Sequence, residues 1–133
     1  MINNNGYNLK KDKLLSIHML ATIGFMLALI ISYLLTLDKK LSLENKKRLF
    51  SNKEAQNLAL FQSILIFVVA STFLYTNYNQ YKISKETHDN DEQDLFLQIE
   101  TSIFAIISAI IGLYIIFKNY LGQTLTISET ENV

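Results

Sequence analysis

The chain contains no cysteine, no proline and no tryptophan, and only four glycines and two histidines in 133 residues. Without cysteine there is no disulfide framework, no thiolate metal site and no thiol nucleophile. Without proline nothing forces a kink in a helix. Charge of one sign is missing too: 12 Lys and Arg balance 12 Asp and Glu. A net charge of zero gives no basis for binding nucleic acid in bulk. No Gly-rich phosphate loop, HExxH or Cys/His cluster occurs, so the residues imply no cofactor, no metal and no enzyme.

Long uncharged runs are what the sequence has instead. Leu14 to Leu37 carries no formal charge over 24 residues. As a helix that is about 36 Å, more than the roughly 30 Å of a hydrocarbon core. Two similar stretches follow near 55–78 and 95–121. The reading is an all-α integral membrane protein: three transmembrane helices in an antiparallel up-down-up bundle, forming one membrane domain over 1–133. Buried helices of a soluble protein are disfavoured because so little polar chain remains to cover three apolar segments. The first stretch is too long for a signal-peptide core, and no small-residue cleavage site follows Leu37.

The remaining segments are short and polar. Lys10, Lys11 and Lys13 precede the first helix, with Asp12 as its N-cap. A basic connection, 38–54, holds Lys39, Lys40, Lys46, Lys47, Arg48 and Lys53, with Leu41, Leu43, Leu49 and Phe50 among them. It reads either as an interfacial helix on the headgroups or as a solvated loop. Ser51-x-x-Glu54 has the spacing of a capping box. Tyr75, Tyr78 and Tyr81 form an aromatic belt. An acidic connection, 82–94, includes Asp89, Asp91, Glu92 and Asp94 just before the third helix, where the macrodipole favours carboxylates, and Asn90-x-x-Gln93 resembles a capping pair. Gly122 is a natural helix stop, followed by a polar tail, 123–133.

Small and polar residues share faces on each span. On the first helix Gly24, Ala28 and Ser32 recur at intervals of four; on the second Gln62 and Ser63 lie together; on the third Ala105, Ser108, Ala109 and Gly112 do so. Small residues admit close approach of another helix, which holds helices together where lipid removes the hydrophobic driving force. Only His18, Glu100 and, at the edge, Lys118 bring ionisable groups near the interior. A His18–Glu100 pair would sense pH or carry protons. The helical wheel instead puts Glu100 with Phe96, Phe104, Ile107 and Ile111 on the large apolar side. Asp89-x-Asp91-x-Gln93 echoes an EF-hand loop, but Asp94 stands where the turn needs Gly.

Two functional readings follow. The first is a small membrane protein acting by helix packing as a subunit, assembly partner or regulator, in the bilayer with a second copy or another membrane protein. The second is a self-assembling pore. In size, in three spans and in the lack of a soluble domain, the chain resembles in general form the phage holins of the three-helix type. The members of that family oligomerise and breach the membrane. Holins end in a strongly charged tail, and Gln123–Val133 departs from this. The expected place is the cell membrane. Seven Lys and Arg flank one side, five the other, which puts the N-terminus outside and the C-terminus in the cytoplasm.

Overall fold

The structure, a computed structural model, describes residues 4–87 and 92–131. It consists of three long helices, α1 (Asn4–Leu43), α2 (Asn52–Thr87) and α3 (Glu92–Glu131). They pack antiparallel, and each is long and apolar enough to cross a membrane. At 40, 36 and 40 residues they extend about 54 to 60 Å, nearly twice a hydrocarbon core of about 30 Å. Each helix therefore runs past its uncharged segment into flanks rich in Lys, Glu and Asn. α2 continues from the tyrosines through Lys82 to Thr87, and α3 passes through Gly122, the expected stop. His88, Asp89, Asn90 and Asp91, which carry the capping pair and the EF-hand echo, lie outside the described residues.

The connection between α1 and α2 is a tight turn. α1 absorbs the first part of the basic segment, up to Leu43, and then stops. Asn45 sits at φ 57°, in the left-handed region that Asn tolerates better than other side chains. Its N–H donates to the Ser42 carbonyl at 3.2 Å, and the Lys46 N–H donates to the Leu41 carbonyl at 2.9 Å. These are the two bonds of a Schellman motif with Asn45 at C′. Ser51 opens α2 as its N-cap: its Oγ accepts from the Glu54 N–H at 3.1 Å, as the sequence spacing predicts.

α2 lies between its neighbours, and both pack on it. Among the described residues no close backbone approach joins α1 to α3. The core is correspondingly thin. It comprises Leu14, Ala21, Ala28 and Ile31 of α1, Val69, Ala70 and Ile83 of α2, and Ala109 of α3. Most large side chains, from Leu15 and Met19 to Phe104 and Ile111, point outward. That suits contact with lipid and not with water. At the end where α2 finishes, Tyr81 packs on Phe96 of α3, and the Lys82 ammonium lies 5.3 Å from the centroid of the Tyr78 ring. Such amphipathic side chains belong at a membrane interface.

Candidate functional site: the two seams of the central helix

Buried residues on α2 recur at intervals of seven. Val69, Thr76 and Ile83 form one row; Ala70, Asn77 and Ser84 form the next. Seven residues is the interval at which a slightly underwound helix keeps facing the same partner. The rows are one residue apart, so they are turned about 100° from each other. α2 thus presents one seam to α1 and another to α3, and each seam is pinned by polar contacts.

On the α1 seam, Gln62 donates from Nε2 to the Ala28 carbonyl at 3.0 Å. An interhelical bond of this kind contributes about 0.6 to 2 kcal/mol in a membrane. Farther along, His18 Nδ1 lies 3.3 Å from Thr76 Oγ1. The Thr76 hydroxyl gives its single hydrogen to the Phe73 carbonyl at 3.0 Å. Its oxygen is then left to accept from the His18 ring nitrogen. The imidazole also rests against Phe73, with ring centroids 4.8 Å apart. Between these polar points the two helices approach closely at Gly24. A Cβ added to Gly24 would stand 3.0 Å from Val69 Cγ2. Ala21 and Ala28 are buried on this seam, and Ser32 is partly so.

On the α3 seam, Asn77 Nδ2 donates to Ser102 Oγ at 2.8 Å, and the Ser102 hydroxyl donates on to the Gln98 carbonyl at 2.9 Å. Seven residues back along α2 is Ala70, and seven on along α3 is Ala109, both buried. Ser63 lies one further heptad back on the same row and is half-buried. Among the described residues Asn77 Oδ1 and Ser84 Oγ are buried without a hydrogen-bond partner, and the polar contact across this seam runs through Ser102.

The third helix uses only part of its small-residue face. Ser102 and Ala109 pack on α2, whereas Thr101, Ala105 and Ser108 are exposed and a Cβ on Gly112 would meet nothing within 4 Å. Glu100 is exposed on α3 and Lys118 likewise. His18 is turned onto α2, so the structure does not bring His18 and Glu100 together. Among the described residues no group of three or more His, Cys, Asp or Glu side chains is placed to hold a metal ion.

One cluster was not legible as a site in the sequence. Asp38, directly after the first uncharged run, is only 1% exposed. Its Oδ1 accepts the backbone N–H of Leu49 at 3.0 Å and of Phe50 at 3.1 Å. Its Oδ2 accepts from Arg48 Nε at 3.2 Å and from the terminal nitrogen at 2.5 Å. Arg48 reaches Asn52 with its other terminal nitrogen. The hydrogen bond to the carboxylate, opposed in part by burial, raises the Arg48 guanidinium above its ordinary range. One carboxylate therefore fastens the turn to the end of α1. An acid at the end of an apolar run and an Arg ten residues later were the available signals. The turn at Asn45 that joins them was not.

No protein family, curated protein or solved structure matches this chain.

Proposed function

We propose that this small three-span membrane protein acts as an interaction subunit, and that α3 offers the docking face. One observation carries the reading. The small residues of α1 are consumed by contact with α2, whereas Thr101, Ala105 and Ser108 are exposed on α3 and, with Gly112, form a row against which no other helix packs among the described residues. These four fall within about 60° on the helical wheel. A row of this kind lets a second helix come close enough for dispersion contacts to hold it in lipid. The bilayer partner is a second copy or another membrane protein, and one experiment addresses both. The double substitution Ala105→Leu, Ser108→Leu abolishes energy transfer between labelled copies in vesicles, or co-purification of a partner from membranes. Ile103→Leu with Ile110→Leu, on exposed positions on the opposite side of α3 from the row, leaves either association intact. Equal behaviour of the two pairs would remove α3 as the docking face. Rapid loss of membrane potential on expression would turn the reading toward the self-assembling pore.

The orientation belongs to the same proposal. Seven Lys and Arg on the side of the α1–α2 turn, against five on the other, favour that turn and the C-terminus in the cytoplasm and the N-terminus outside. The chain has no cysteine of its own. A single Cys at Asn8 reacts with a membrane-impermeant maleimide on intact cells, and one at Asn45 reacts only after lysis. The opposite labelling pattern would invert the orientation.

A further inference from the structure

At the end of the molecule that carries the α1–α2 turn, the separation of α1 from α3 leaves a cavity of about 520 Å³ floored by α2. That is within the range of about 300–1,000 Å³ usual for ligand pockets. Its lining changes character along its length. Lys39 and Arg48 stand at one end; Ala55 and Ala59 of α2, with Ile116 and Asn119 of α3, form much of the rest. Lys39 and Arg48 follow the first uncharged run, and Ile116 and Asn119 close the third. All four therefore lie at one membrane interface, and from it the cavity reaches inward past Ala55 and Ala59 to Ser32 and Gln62.

The charges at this end are unevenly committed. Arg48 is spent on Asp38, and Glu44 is within ion-pair distance of Lys40 and Lys46. Lys39 is exposed and has no ion pair among the described residues. The cavity thus has a free cation at headgroup level, neutralised acid beside it, and a slot of small side chains leading into the hydrocarbon. A basic pocket between membrane helices is built for an anionic headgroup.

We propose that this cavity binds one anionic phospholipid, with its phosphate on the Lys39 ammonium and an acyl chain laid along Ala55 and Ala59 between α1 and α3. On α3 the cavity continues the side that carries the outward row, Asn119 lying in line with Thr101 and about two turns beyond Gly112, but the lipid site rests on Lys39 and the α2 slot and needs no helix docked on that row.

The test uses the full chain in detergent, titrated with phosphatidylglycerol or phosphatidylcholine and read by native mass spectrometry. Phosphatidylglycerol binds in preference. Lys39→Gln lowers its affinity roughly fivefold, the equivalent of about 1 kcal/mol for one basic residue near a membrane surface. Lys47→Gln, at the same end of the molecule but outside the cavity, leaves the affinity unchanged. Ala59→Phe fills the slot and removes both lipids. Glycerol 3-phosphate does not displace the bound lipid, because it lacks the chain. Equal binding of the two lipids overturns the proposal, as does equal loss in Lys39→Gln and Lys47→Gln, which would mean diffuse attraction to a basic surface. Displacement by glycerol 3-phosphate overturns it as well, since the site would then bind a soluble phosphate. Should Ala59→Phe fail to fold, the two lysine variants still decide, because both side chains are exposed.

Discussion

Gly24→Leu should lower stability by about 1–3 kcal/mol, the usual cost of forcing extra carbon into a packed contact, whereas Gly112→Leu should leave it unchanged. The two glycines look alike in sequence, each in a row of small residues at helical spacing. In the structure they meet different surroundings. The first new carbon at Gly24 falls 3.0 Å from Val69 Cγ2, with Leu65 Cδ1 at 3.8 Å. Val69 cannot swing aside easily: a β-branched side chain in a helix has one strongly preferred rotamer, and Val69 is buried. The helices must part instead. Separation then stretches the Gln62 bond to the Ala28 carbonyl, one turn along the same seam. At Gly112 the added carbon meets nothing. Unfolding of dilute protein in detergent, followed by circular dichroism, reads the difference. Equal losses for the two variants would mean that α1 and α2 are not held at this contact. Val68→Leu, on an exposed position, is the neutral control.

This contrast also marks where the sequence stops being informative. The three spans are legible because a run such as Leu14–Leu37, without charge, has few alternatives to a membrane helix. The ends of the helices are less legible, because hydropathy reports the lipid boundary, whereas backbone hydrogen bonding carries α2 to Thr87 and α3 to Glu131. Which face of a span is small is legible from the wheel. Which part of that face meets a neighbour is not. The small residues of α3 spread over more than 100° of the helix. The rotation that puts Ser102 and Ala109 inward and Ala105 and Ser108 outward depends on where Asn77 stands on α2. A heptad count on α2 supplies part of the answer, since Gln62, Val69, Thr76 and Ile83 recur at seven, as do Ser63, Ala70, Asn77 and Ser84. Polar residues at such intervals inside a span are expensive unless they meet partners. Two adjacent rows therefore imply two neighbours for this helix and place it between them.

The second large effect should come from Asp38, and it should resist rescue by charge reversal. Asp38→Ala removes at once the acceptor for Arg48 and for the backbone N–H groups of Leu49 and Phe50. The donors left behind have no substitute among the described contacts, and leaving donors unpaired costs more than the bond itself contributed. Protection of the Leu49 and Phe50 amides against hydrogen exchange should fall on the order of tenfold, while the Gln62 and Asn77 contacts within the spans persist. Asp38→Asn should recover only part of the loss. Its amide oxygen still serves one side, but its NH₂ group then faces the Arg48 donors. The exchange of charges, Asp38→Arg with Arg48→Asp, keeps the ion pair and should still fail, because an Arg at 38 offers no acceptor to the two backbone groups. A simple surface ion pair would recover on such an exchange. Recovery of amide protection in the exchanged variant would therefore show that Asp38 acts only through its charge and that the clamp on the turn is not what holds α1 to α2 at this end.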